Sequence, residues 1–114
     1  TIAWVPGWVP HSAYVTVTNT GERTLELTDV SSDDFARIEL HTDSDDGLML
    51  WHYLKLPRAI PPGESIVFQP GGNRLMLFTQ SEWLEPGDTA VLRLHFRDFE
   101  PLPLTFTVRK VSRR

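Results

Sequence analysis

Short alternating runs, each closed by a turn, constrain this chain more than any other feature. Ala13-Tyr14-Val15-Thr16-Val17-Thr18-Asn19 alternates apolar and hydroxyl side chains, is rich in β-branched residues, and stops at Thr20-Gly21. A period of two marks a strand with one face buried, and Val and Thr at that period suit a pleated surface. Leu25-Glu26-Leu27-Thr28-Asp29-Val30 repeats the pattern, as do Leu104-Thr105-Phe106-Thr107-Val108 and Ala90-Val91-Leu92-Arg93-Leu94-His95-Phe96, the last entered through Glu85-Pro86-Gly87-Asp88. Similar runs extend from Arg37 to Thr42, Leu48 to Leu54, Ser65 to Phe68 and Arg74 to Phe78. Asp45-Asp46-Gly47, Pro61-Pro62-Gly63 and Pro70-Gly71-Gly72 punctuate the segments between them. No stretch sustains a helical period, and Ser81 to Leu84 has room for one turn at most. About eight or nine short strands with Gly and Pro turns predict an all-β sandwich or barrel. The nine prolines fall mostly at strand borders, where a sheet tolerates them. No internal repeat or linker divides residues 1–114, which read as a single domain.

The net charge of -4 argues against a nucleic-acid binder, which would carry a basic face. Arg109, Lys110, Arg113 and Arg114 read as a solvated tail. The chain has no cysteine, which excludes disulfides, thiolate metal sites and Cys nucleophiles, and suits an oxidising compartment. No apolar run approaches the roughly 18 residues of a membrane span. No signal peptide is visible; the abrupt start at Thr1-Ile2-Ala3-Trp4 is what a mature or trimmed form would show. Nucleophile elbow, phosphate loop and His-Glu-x-x-His motifs are all missing, so an enzyme is not expected.

Two stretches carry metal-capable side chains on strands: Ile38-Glu39-Leu40-His41, and Pro70-Gly71-Gly72-Asn73-Arg74-Leu75-Met76-Leu77. His52 lies between them. Imidazole and thioether together suit copper, and the thioether favours Cu(I). Arg74 places a permanent cation beside that site.

These stretches, with Ala3-Trp4, Ala13-Tyr14, Asn19, Asp46-Gly47-Leu48-Met49, Ile60-Pro61-Pro62-Gly63, Leu84-Glu85-Pro86-Gly87-Asp88 and Leu92-Arg93-Leu94-His95-Phe96, resemble the PCuAC family of periplasmic copper chaperones along nearly the whole chain. The resemblance implies a cupredoxin-like Greek-key β-sandwich. The family's metal motif is His, ten intervening residues, Met, twenty-one more, then His-x-Met. His41 matches the first position and Met76 the last; His52 stands where the motif has Met, and Arg74 where it has His. The spacing is kept and two of the four ligands are changed. An imidazole at position 52 keeps a donor and moves preference toward Cu(II) or Zn(II). A guanidinium at position 74 removes one, because it has no free lone pair.

The resemblance thus implies a periplasmic, monomeric copper carrier that delivers Cu(I), and secondarily Cu(II), to a cuproenzyme or copper-site assembly protein. His41, His52 and Met76 would be the ligands and Arg74 a neighbour that weakens or regulates the site. Met49, three residues before His52, would need a bulge to join, and Trp51 flanks the site and could shield a bound ion. The altered motif supports a rival reading, a domain that keeps the scaffold, has lost tight copper binding and serves as an interaction or accessory module. A third is a carbohydrate- or peptide-binding sandwich using Trp8, Trp51 or Trp83. His11 reads as a loop residue and His95 as solvent-facing beside Arg93 and Arg97. Asp33, Asp34, Asp43, Asp45 and Asp46 read as turn formers and solvated loop.

Overall fold

Residues 1–4, 11–43, 51–79 and 84–110 are described in a computed structural model of the chain. Among them are eleven strands and no helix: β1 (Ile2–Trp4), β2 (His11–Ala13), β3 (Val15–Thr18), β4 (Leu25–Ser31), β5 (Arg37–Asp43), β6 (Trp51–Tyr53), β7 (Arg58–Ile60), β8 (Ser65–Phe68), β9 (Arg74–Phe78), β10 (Thr89–Phe96) and β11 (Leu102–Lys110). The strands beyond the expected eight or nine are β1, β2 and β7, of three residues each, too short to display an alternation.

Nine strands form one sheet in the order β6-β5-β9-β2-β1-β11-β10-β4-β7, and β3 pairs with β8 in a second. Every pairing is antiparallel except β1 with β11. The chain moves from the long sheet to the short one between β2 and β3, across the single residue Tyr14. Ile66 and Phe68 of β8 join Leu27, Leu75, Leu77, Leu92, Leu94, Phe106 and Val108 of the long sheet in one core. The architecture is an all-β sandwich, one of the two forms that the alternation predicts.

The strands that build the core show the period directly. Along β9 the apolar Leu75 and Leu77 are fully buried, while Arg74, Met76 and Phe78 lie on the other face and are only partly covered. Along β10, Ala90, Leu92, Leu94 and Phe96 point inward and Val91, Arg93 and His95 outward. Burying each of these Leu and Phe side chains contributes about 1.5–3 kcal/mol, so the register of these strands is firmly set.

Asn19 fixes a polar corner of the same core. Its side chain is 2% exposed; Nδ2 donates to the carbonyls of Arg23 (2.7 Å) and Ile60 (2.8 Å), and Oδ1 accepts from the amide of Gly21 (3.0 Å). Its own carbonyl accepts from Gly63 (2.7 Å), whose φ of 79° in the Pro61-Pro62-Gly63 turn suits glycine. One amide side chain thereby ties the turn after β3 to the end of β7.

Candidate metal centre

The relevant surface is the outer face of the long sheet, where β6, β5, β9 and β2 lie side by side. Cross-strand pairs set which side chains share it. His41 pairs with Tyr53 on one side and Arg74 on the other. Glu39 pairs with Met76, and Met76 with Ser12. Arg37 pairs with Phe78, and Asp43 with Trp51. Period two then puts Arg37, Glu39, His41 and Asp43 of β5 on the face that carries Arg74, Met76 and Phe78 of β9. His41 and Met76 are diagonal neighbours there, a separation that long side chains span.

His41 is only 7% exposed although it stands on an outer face. Trp51 explains the burial: its ring lies parallel to the imidazole, with centroids 4.1 Å apart and planes 7° from coplanar. Tyr53 meets both rings edge-on, at 5.4 Å from His41 and 5.2 Å from Trp51. The two covering rings themselves remain exposed, at 49% for Trp51 and 62% for Tyr53.

Polar contacts orient the donors. Nε2 of His41 lies 3.0 Å from Oε1 of Glu39, and Arg37 Nε donates to Oε2 of the same carboxylate at 2.8 Å. The hydrogen bond with His41, reinforced by the Arg37 charge, holds the Glu39 carboxyl below its ordinary range against the opposing effect of desolvation. Ser12 Oγ donates to the sulfur of Met76 at 3.5 Å.

Arg74 stands directly across from His41, yet its guanidinium is tied back. Nη1 donates to Asp43 Oδ1 at 2.8 Å and to the carbonyl of Gly72 at 2.9 Å. Both acceptors lie beyond His41 in the direction away from the Glu39–Met76 pair. The cation is therefore neutralised by a partner and drawn toward one end of the face.

The structure brings together His41, Met76, Arg74 and Trp51. It does not bring His52 to them. His52 pairs with Thr42, so it belongs to the opposite side of the sheet from His41, and it is exposed. The reason is parity. The β5–β6 register pairs residue 41 with 53, and residues 51 and 53 then share the His41 face while 52 does not. Spacing in the sequence carries no information about that register, which depends on the connection between the strands. Met49 lies outside the described residues, as do Asp45, Asp46, Trp8 and Trp83.

Other expectations are corrected. Asp43 is not a solvated loop residue but part of β5, paired with Arg74. His11 is in β2, buried among core side chains at 7% exposure, because Ser12 rather than His11 takes the outer face. His95 faces outward beside Arg93 as expected, partly covered there, with Nε2 2.6 Å from Ser31 Oγ. Asp33 and Asp34 do lie in an exposed bend after β4, as expected, where Asp34 also accepts the amide of Val91 (3.0 Å) and Asp33 pairs with Arg93 (3.1 Å). Sequence reasoning missed Glu39, Ser12 and Tyr53. Glu39 was within reach of the period-two rule, since it lies two residues before His41 on the same strand. Ser12 and Tyr53 depend on strand pairing and gave no local signal.

Among the described residues, no three His, Asp or Glu side chains gather into a metal-holding group. Among the described residues the face offers one imidazole and one thioether, its Glu39 and Asp43 carboxylates being engaged by Arg37, His41 and Arg74, a set that fits a soft ion of low coordination number and not one that needs four hard or borderline donors.

In fold the chain is similar, over 96% of its length, to PCuAC domains of known structure. One is a copper-bound PCuAC domain from PmoF2 (21% identity, 87% of that chain, TM-score 0.75). Another is Cu(I)-DR1885 from Deinococcus radiodurans (24% identity, 74% of that chain, TM-score 0.73). Residues 2–108 match the LpqE-like family (lipoprotein LpqE-like), and the chain belongs to that family. A curated relative, uncharacterized protein RP573 of Rickettsia prowazekii (strain Madrid E), is 32% identical over 96 residues. That alignment takes in 82% of the chain, which spans about half the length (53%) of RP573.

Proposed function

We propose that this domain binds Cu(I) on the outer face of the long sheet, through His41 and Met76, and hands it to a cuproenzyme or copper-site assembly protein outside the cytoplasm. The observation that carries the reading is the placement of an imidazole and a thioether as diagonal neighbours on β5 and β9, in the fold of PCuAC domains. Copper is cargo here, and two donors with partial exposure favour transfer: an incoming ligand can bind before the first two leave. With His52 on the other side of the sheet, the case for Cu(II) loses its second imidazole, and Cu(I) is the form the donors suit. The extracytoplasmic location is supported by the family's lipoprotein description and by the PCuAC likeness.

Competition for Cu(I) against a chromophoric chelator tests the proposal. His41→Ala and Met76→Ala should each abolish competitive binding, whereas His52→Ala should leave it unchanged. Full retention of affinity in His41→Ala would refute it. A second reading has a specific observation behind it: Arg74, ion-paired with Asp43, stands directly across from His41 at the position where the PCuAC motif has a ligand. An accessory domain without copper would show no competition in the parent protein.

A further inference from the structure

The polar contacts around His41 say which of its two nitrogens serves a metal. Glu39 is ion-paired with Arg37, whose Nε lies 2.8 Å from Oε2, and a carboxyl so paired is ionised at neutral pH. An ionised carboxylate only accepts hydrogen bonds. The hydrogen shared between Glu39 Oε1 and His41 Nε2 at 3.0 Å must therefore sit on the imidazole nitrogen. In a neutral ring with its proton on Nε2, the lone pair is on Nδ1. Glu39 is itself held in place: Arg37 donates to its other oxygen at 2.8 Å, and the Arg37 guanidinium rests over the Phe78 ring at 4.2 Å. Trp51 stacks on a face of the imidazole and Tyr53 packs at its edge.

We infer that Glu39, braced by Arg37, is a positioning residue that fixes His41 as an Nδ1 donor, so that the domain presents Nδ1 and not Nε2 to a soft cation. The inference rests on the copper reading only for the identity of that cation. The state of the ring belongs to the metal-free protein. A carboxylate on the far nitrogen orients a ligating imidazole and raises the basicity of the nitrogen that binds, and loss of such a partner lowers metal affinity by about 10- to 100-fold.

The test uses the chain labelled with nitrogen-15 in histidine, at a pH where the imidazole is neutral. Two-bond proton–nitrogen correlation spectra of the metal-free protein should show His41 protonated at Nε2 and bare at Nδ1. Titration with Ag(I), a diamagnetic substitute for Cu(I), should then shift the Nδ1 resonance. Glu39→Ala should leave a mixture of tautomers and weaken Ag(I) binding by about 10- to 100-fold. Glu39→Gln, whose side-chain carbonyl can accept the same hydrogen, should restore the Nε2–H form and most of the affinity. A proton on Nδ1 in the metal-free parent overturns the inference. So does an Ag(I)-induced shift at Nε2, which would make Glu39 a latch that metal displaces. Weaker binding by Glu39→Ala with an unchanged tautomer also overturns it, because the role would then be structural only. A parent protein that shows the Nε2–H tautomer but takes up neither Ag(I) nor Cu(I) refutes the copper reading, while the orienting role of Glu39 stands.

Discussion

Arg74→His puts an imidazole directly across from His41, and its outcome can be worked from the structure. The substitution removes two hydrogen bonds of Arg74 Nη1, to Asp43 (2.8 Å) and to the Gly72 carbonyl (2.9 Å). The Arg74 side chain is 20% exposed and that of Asp43 39%, so the pair is well wetted on one side and the loss is about 1 kcal/mol. In a domain of this size that lowers Tm by about 4 °C. The gain is a third donor, with Cβ atoms of the paired residues about 5 Å apart. Outer partners of a ligand alone are worth about 10- to 100-fold in metal affinity, so an added ligand should raise Cu(I) affinity at least about 100-fold, or ~2.7 kcal/mol. Relief of repulsion is the competing explanation. An unpaired cation about 7 Å from a bound ion would oppose it by about 2.4 kcal/mol at an effective dielectric near 20. Here the charge is paired with Asp43, so most of that repulsion is already cancelled. Arg74→Gln, which removes the charge and adds no good donor, should therefore gain no more than about tenfold. Chelator competition on the parent and both variants, with thermal melts to show that each is folded, makes the comparison. Equal Cu(I) affinity in folded Arg74→His and parent protein would refute the assignment of this face as the copper site.

Three further outcomes follow from the same contacts. Trp51→Ala removes the ring stacked on His41 and should cost about 1 kcal/mol; acylation of His41 by diethyl pyrocarbonate, read by peptide mass, should become several-fold faster. Asn19→Ala leaves the Arg23 and Ile60 carbonyls without their shared donor, the latter buried, and should cost about 2–3 kcal/mol; the urea midpoint falls with little change in slope, and Cu(I) affinity of the folded protein is unaffected. Glu39 contributes a pH dependence whose sign is fixed: its folded carboxyl titrates below the ordinary value of 4.5, so its stabilisation is complete above that value and is lost as pH falls through the lower one. Glu39→Gln should thus be less stable than the parent near neutrality, and the gap should close in acid melts below pH 4.5.

Strand identity was legible because it depends on local pattern. Ser65–Phe68, Arg74–Phe78 and Thr89–Phe96 all alternate in burial, and Thr89–Phe96 comes nearest to alternating in polarity as well, with Val91 the apolar exception on its outer face. The short strands β1, β2 and β7 were not legible, since three residues cannot display a period and their pairing is decided by neighbours distant in the chain. The site divides in the same way. The resemblance placed His41 and Met76 on two strands, and the structure shows those strands to be adjacent with both residues on one face. The side of β6 on which residue 52 lies depends on a one-residue choice of register, to which sequence spacing is blind. The hydroxyl on the Met76 sulfur and the aromatic cover on His41 come from pairing with β2 and β6, and are likewise tertiary facts.

The arginine at a motif position gains a physical account only together with Asp43. A guanidinium opposite His41 with no partner would set a full positive charge against any cation on the face. Asp43, two residues past His41 on the same strand, removes that charge from consideration by accepting from Nη1, and the Gly72 carbonyl fixes the direction. Two charged positions that looked unrelated in sequence, one a lost ligand and the other a solvated acid, act as one neutral unit. On the copper proposal, Arg74 would weaken the site by withholding a donor more than by repelling the ion. Asp43→Ala separates these effects: it leaves the donor count unchanged and frees the guanidinium. Cu(I) affinity should then drop by about tenfold in the parent background and stay level in an Arg74→Gln background. Equal losses in both backgrounds would show that Asp43 itself touches the metal.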